Sequence, residues 1–279
     1  MTASKLLPDI GTSPDASGGP VVDFRRVSIG FDGKPVLTDI SFTAGVGETR
    51  IILGPAGCGK SVLLKLANGL VKPDSGNIHV FGEEIDTLPQ TELFHLRRNI
   101  GMVFQESALF DSMTVRENVA YQLQEEHVDD ATIEAKVLEV LRFVELEHTI
   151  DKFPSQLSGG MRRRVAIARA IITQPKLLLY DSPTGGLDPI TSTTIIELVV
   201  KQRDVYEGTA LLVTHRLQDA YTMATHCFNR KTNRMQRIPN NGLDQKTTFL
   251  VLNNTRVVFD GMLPELVHSD NPFLKEFLS

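Results

Sequence analysis

The sequence predicts an α/β fold: a mainly parallel sheet, preceded by antiparallel strands and interrupted by an inserted block of helices. Three observations carry this. A short apolar run at 49–53 leads into a glycine-rich loop and then a helical pattern. Strand-like runs return at 100–104, 177–180 and 210–214 with helical stretches between them, the alternation that a parallel sheet with crossover helices requires. From about 106 to 173 strand patterning gives way to helical spacing.

Each element has a local reason. Residues 1–20 are rich in Ser, Gly, Pro and Asp and lack the apolar stretch of a signal peptide, so they read as a disordered leader. Residues 21–42 suit short strands with a turn at Asp32-Gly33. A helix over 61–70 is closed by Lys72-Pro73. In the helical block, Thr114 and Glu117 have the spacing of a capping box. Ile133, Val137, Leu141 and Val144 share one helix face, and 160–172 forms a third helix with the basic run Arg162-Arg163-Arg164. Asp188 followed by Pro189 reads as an N-cap and first helical residue. One folded domain is expected over 21–268, with 269–279 as a C-terminal tail.

Bulk properties exclude several classes. The chain has 279 residues, 41% apolar content and a net charge of −5, which argues against a general nucleic-acid binder. Two cysteines, far apart, make neither a disulfide framework nor a zinc pattern and suit a reducing cytosol. No run is long enough to span a membrane.

The chemistry begins at Gly54-Pro55-Ala56-Gly57-Cys58-Gly59-Lys60-Ser61, followed by Val62. Glycines let backbone N–H groups turn inward around phosphates, and the following helix presents its positive end. Lys60 is placed to reach the β- and γ-phosphates of a nucleotide, and Ser61 to ligate Mg²⁺. Asp181, ending a buried strand at the same sheet edge, is the second candidate for the metal's ligand shell. Cys58 reads as a small residue that fits the loop.

The segment Leu157-Ser158-Gly159-Gly160-Met161 narrows the reading. With the glycine loop before it and Asp181 after it, the chain resembles an ATP-binding cassette (ABC) transporter ATP-binding subunit, a P-loop NTPase, from about 22 to 214. The resemblance implies that Gln105 is the Q-loop glutamine that touches Mg²⁺ and senses the transport partner. It makes Asp188 the D-loop acid and His215 the switch histidine at the γ-phosphate. Phe31 becomes the aromatic that stacks on adenine. It also implies assembly: the ATP of one chain is completed by Ser158, Gly159 and Gly160 of a second ABC ATPase chain, identical or not. Separate permease subunits would dock near 108–114, at the cytoplasmic face of a membrane. The run from Gln105 through Val119 and Ala120, Met161 in the signature, and the ending around Asp260-Gly261 resemble the lipid-trafficking Mla/Mce branch. That would add a phospholipid cargo and an Mce-type lipid-binding partner.

Two departures stand out. Family members mostly carry Glu after the strand-ending Asp, whereas this chain has Ser182, which can hold a water but cannot take its proton at neutral pH. ATP and Mg²⁺ binding with slowed hydrolysis is therefore expected. The alternatives are a degenerate half beside a hydrolytic partner, help from His215 or Glu106, and ATP used only to lock a dimer. The second departure is an insert at about 229–248 with Arg230, Lys231, Arg234, Arg237 and Lys246 against Asp244. It reads as a solvated loop or as a contact to an acidic partner or lipid headgroups. Other functions left open are a transporter of a different cargo, a soluble ABC protein, and a regulatory, binding-only half.

Overall fold

The computed structural model describes residues 19–279; positions 1–18 of the expected leader lie outside them. Strands β1 (Val22–Phe31) and β2 (Lys34–Ala44) form an antiparallel hairpin turning at Asp32-Gly33. β3 (Thr49–Leu53) then runs into the glycine loop and α1 (Lys60–Ala67). β4 (Ser75–Val80) and β5 (Glu83–Glu84) add to the hairpin, giving a four-stranded sheet ordered β2-β1-β4-β5. α2 (Gln90–Arg97) and β6 (Ile100–Val103) follow.

The helical block is α3 (Val115–Glu125), α4 (Asp130–Phe143) and α5 (Gly159–Ile171). Thr114 and Glu117 form the reciprocal capping box that starts α3. Next come β7 (Leu177–Asp181), α6 (Pro189–Tyr206), β8 (Thr209–Val213) and α7 (Leu217–Thr225). The chain ends with β9 (His226–Asn229), β10 (Arg234–Arg237), β11 (Thr247–Asn253), β12 (Arg256–Gly261), α8 (Leu263–Val267) and α9 (Pro272–Leu278).

The central sheet is ordered β12-β11-β3-β8-β7-β6. All its pairings are parallel except that of β12 with β11. β3, β7 and β8 are buried at every position, as strands covered on both faces are, which explains their apolar runs. Alternate residues serve two cores. Ile51, Leu178, Tyr180, Leu212 and Phe249 face the layer of α3–α7, while Ile52, Leu177, Leu179, Leu211 and Leu250 face α1 and the antiparallel sheet. Each such side chain, fully buried, contributes about 1.5–3 kcal/mol. Because β3, β8, β7 and β6 are neighbours and parallel, their carboxyl ends lie side by side. The loops carrying Gly54, His215, Ser182 and Gln105 are thereby delivered to one edge.

Two sequence readings are corrected in shape. The insert is no open loop: β9 and β10 pair as a hairpin, and the Asn229 carboxamide oxygen accepts from the N–H groups of Lys231 and Thr232 at its turn. The hairpin rests on α6, where Met235 N–H donates to Glu197 and the Lys201 ammonium lies over the Phe143 and Phe228 rings. Arg230 donates to the Asp204 carbonyl, so part of the insert's positive charge is spent within the fold. The 269–279 segment holds α9, capped by Asn271, and Leu274 is buried in the main core.

Candidate functional site

The phosphate loop is shaped by steric necessity. Gly54 has φ +148, and a Cβ there would stand 2.4 Å from the Leu252 carbonyl oxygen. Gly59, at φ +96, begins α1 without offering any side-chain cap, so the first N–H groups of the helix face the loop. A Cβ on Gly59 would press within 2.7 Å of Leu37, which brings the start of β2 against the loop. Phe31, 47% exposed, pairs with Lys34 at the tip of the same hairpin. Pro55, Ala56, Gly57 and Cys58 form the rim, from half-buried to exposed, and Ser61 and Val62 are half-buried at the helix start.

The Lys60 ammonium is turned back over the loop, donating to the carbonyls of Gly54 (2.8 Å) and Pro55 (2.7 Å). The Ser61 hydroxyl donates to Asp181 Oδ1 at 2.9 Å. A hydroxyl and a carboxylate at that separation, beneath an uncapped helix end and beside an ammonium, form a hard-oxygen pair suited to a small divalent cation next to a phosphate.

Ser182 is buried, and its φ of 47 lies in the left-handed region, a strain of about 1–2 kcal/mol for a non-glycine residue. Three contacts hold it there. Its N–H donates to the Val213 carbonyl at 2.9 Å, and its own carbonyl accepts from Gly185 N–H (2.8 Å) and Arg163 (3.0 Å). Gln105 is exposed and adjoins this turn: a Cβ on Gly185 would lie 3.4 Å from Ser182 Cβ and 3.5 Å from Gln105 Cγ. The structure thus gathers Lys60, Ser61, Asp181, Ser182 and Gln105 around one pocket edge. His215 stands exposed at the end of the adjacent β8.

The signature occupies a different place. Ser158 caps α5, its hydroxyl accepting from Met161 N–H at 3.2 Å, which leaves the hydroxyl proton free to be donated. A Cβ on Gly160 would meet Thr191 Cγ2 at 2.4 Å, and one on Gly159 would lie 3.5 Å from Leu187. The signature end therefore packs beside the start of α6. There Asp188 accepts from the N–H groups of Ile190 and Thr191, both at 3.0 Å, and its carboxyl lies below the usual range because of the hydrogen bonds from Thr191 and then Ile190.

Sequence reasoning missed the residues that tie these loops together. Asp219, 3% exposed, accepts from the hydroxyls of Thr184 and Thr214 and lies 3.6 Å from Arg216 Nε. It joins the turn after β7 to the loop carrying His215. Arg163 and Arg169 on α5 donate to the carbonyls of Gln105, Ser107 and Ala108, where Ser107 and Ala108 both have positive φ. The sequence signal for Arg163 is the basic run 162–164, of which it is the member on the buried face of α5; Arg169 lies outside that run.

Residues 37–185, more than half of the chain, match the family model described as ABC transporter. The spermidine/putrescine import ATP-binding protein PotA of Aggregatibacter actinomycetemcomitans is 41% identical over 206 residues, 74% of this chain and 54% of that protein. The methionine import ATP-binding protein MetN of Bifidobacterium longum is 40% identical over 197 residues, 71% of this chain and 49% of that one. The chain spans about half the length of these curated relatives. Among solved structures, the dimeric post-hydrolysis state of the ATP-binding cassette MJ0796 bound to ADP and Pi superposes with a TM-score of 0.72 at 28% identity, covering 87% of this chain and 98% of that one. CbiO1 from Clostridium perfringens, part of the ABC transporter complex cbiONQ, gives 0.74 at 28% identity over 92% of this chain and 94% of that one. With its motifs in order along a P-loop sheet, this chain belongs to the ABC transporter family.

Proposed function

We propose that the chain binds ATP with Mg²⁺ and serves as the energising subunit of a membrane transporter. The observation that carries this is the Ser61–Asp181 contact of 2.9 Å beside Lys60 at the uncapped start of α1. Lys60 exchanges two loop carbonyls for phosphate oxygens, and the N–H groups of the loop and of α1 hold the phosphates. Ser61, Asp181 and Gln105 would hold Mg²⁺, which when bound neutralises charge on the β- and γ-phosphates. Phe31 stacks on the base, and His215 donates toward the γ-phosphate. Ser158, Gly159 and Gly160 serve the ATP of a second ABC ATPase chain, in a homodimer or a heterodimer. Ser158 is exposed at this helix end and Gly159 half-buried, and the end, with a hydroxyl proton to donate, suits an anion supplied from outside. The dimeric MJ0796 cassette supports this pairing.

A permease would dock at 108–114. Support comes from Phe110 (43% exposed) and Tyr121 (37% exposed), whose rings lie 5.0 Å apart there. No helix among the described residues is long and apolar enough to cross a membrane, so the cassette would act at the cytoplasmic face through that permease. For cargo we propose a phospholipid or similar hydrophobic molecule handed on by an Mce-type protein. This rests on the Gln105–Ala120 segment and Met161, while the relatives named above import polyamines and methionine. Co-purification with a permease and extractable lipid supports that cargo; a polar solute in its place removes it.

Hydrolysis is expected to be slow. A positioned base contributes about 10²–10⁴-fold, and Ser182 cannot act as one. The test is steady-state ATPase activity of the purified complex, wild type against Ser182→Glu. The Glu variant should turn over at least about tenfold faster. A wild-type rate equal to or above it would sink the impaired-site reading. Undetectable turnover in wild type with intact ATP binding would instead favour the regulatory, binding-only half.

A further inference from the structure

α5 does two things at once. Its N-terminal end, capped by Ser158, packs beside Thr191 at the start of α6, while Arg163, one turn on, reaches the turn after β7 and the Gln105 carbonyl. Arg163 is 4% exposed, and a buried guanidinium is unfavourable unless its donors are met. Nη1 donates to the Ser182 carbonyl at 3.0 Å; Nη2 donates to the Gln105 carbonyl and, at 3.4 Å, to that of Gly185; Nε has no partner. Burial holds its pKa below the usual arginine value against the attraction of Glu106 and Asp181, and the group still stays charged. Three carbonyls spread across two loops match a planar fork of donors and not a point charge. The same helix is held elsewhere as well: Gly160 lies close to Thr191, whose Cγ2 would stand 2.4 Å from a Cβ placed there, and Arg169 binds the carbonyls of Ser107 (3.0 Å) and Ala108 (2.7 Å).

We propose that Arg163 is a positioning residue. It joins the turn after β7, the glutamine loop and the signature helix into one rigid piece, so that the α5 end offered to a second chain moves with this chain's own pocket. The inference rests on the pairing reading above. Arg163 meets Ser182 and Gln105 at their backbone carbonyls and not at their side chains, so it acts on the site through the backbone of those two residues. Without it, the left-handed Ser182 loses one of its three anchors and the two loops lose their common tie to α5.

The experiment compares full-length wild type with Arg163→Met, which keeps the stem without donors, and Arg163→Lys, which keeps the charge without the fork. ATP affinity is measured on dilute monomer, ATP-driven dimerisation by sedimentation, and turnover as kcat and KM separately. Affinity should stay at the wild-type level, because Lys60 and the glycine loop are untouched. Dimerisation in Arg163→Met should weaken about tenfold, the scale of one lost hydrogen bond to a charged group. kcat should fall with KM unchanged, and Arg163→Lys should recover only part of the loss. Wild-type dimerisation in Arg163→Met, full recovery in Arg163→Lys, or an equal fall in ATP affinity would each overturn the proposal. If Arg163→Met does not fold, Arg163→Lys decides: weaker dimerisation at an unchanged thermal midpoint supports it, and wild-type behaviour overturns it. A wild-type chain that binds ATP and stays monomeric removes the pairing reading itself, and this inference with it.

Discussion

In the phosphate loop every group that faces the pocket comes from one contiguous run, Gly54 to Ser61, between β3 and α1. In the turn after β7 the corresponding groups are held from four directions: Val213 on β8, Arg163 on α5, Asp219 on α7 through Thr184, and Gln105 beyond β6. The first region is made locally and needs little beyond its own glycines. The second exists only when the sheet and the helical block are assembled. Damage to the first should therefore read out as lost binding, and damage to the second as lost coupling with binding preserved.

The largest effect expected is on the local region. Lys60→Ala removes the ammonium proposed to meet the phosphates, and charge-assisted hydrogen bonds are the strong ones, so ATP affinity should fall about 100-fold by calorimetry. Gly54→Ala should differ in kind. Its methyl would lie 2.4 Å from the Leu252 carbonyl oxygen, a backbone atom that cannot swing aside, so thermal stability should fall together with affinity. If Lys60→Ala bound ATP like wild type, the contrast between the two regions would fail at its root.

A smaller effect is expected at the tip of the β1–β2 hairpin. Phe31 is half exposed at the tip of the hairpin whose Leu37 and Val36 lie against Gly59 of the phosphate loop. Base stacking on an aromatic ring is worth about 1–3 kcal/mol, so Phe31→Ala should weaken ATP binding about tenfold while Phe31→Tyr restores it. Equal affinity in Phe31→Ala and wild type would place the base elsewhere.

The same contrast explains what could be read from the chain before its structure. The glycine loop, Asp181 and the signature are legible because their chemistry is contiguous or ends a recognisable apolar strand. Thr114 with Glu117 and Asp188 with Pro189 are legible because capping is local. Arg163, Thr184 and Asp219 are not. Their partners lie far off along the chain, and for Arg163 they are backbone carbonyls, which carry no residue signature. In the sequence Arg163 is only one-third of a basic run. The β9–β10 hairpin is hard to read because its sequence is mostly polar: Glu197 and Asp204 on α6 anchor its backbone, and only Phe228 and Met235, a cross-strand pair, pack against the core. α9 falls in the segment expected as a tail, although Asn271-Pro272 repeats the cap-and-proline pattern of Asp188-Pro189.

The smallest effect expected is on the pH dependence of stability, and it isolates the assembled region. Burial raises the Asp219 carboxyl above its ordinary value, against hydrogen bonding from Thr184, the Arg216 charge, Thr214 and the nearby His215. The folded chain therefore holds this proton more tightly than the unfolded chain does. Its contribution to stability is fully present below the ordinary aspartate pKa of about 3.9 and is lost as pH rises through the raised value. Asp219→Asn keeps an oxygen for both threonine hydroxyls but has no proton to lose. The thermal midpoint of wild type should thus fall relative to that of Asp219→Asn as pH rises from mildly acidic conditions toward neutral, while ATP affinity stays the same in both. Parallel midpoint curves would mean that Asp219 titrates as an ordinary aspartate. A loss of ATP affinity in Asp219→Asn would mean that the assembled turn shapes the phosphate loop after all, and the division between the two regions would have to be redrawn.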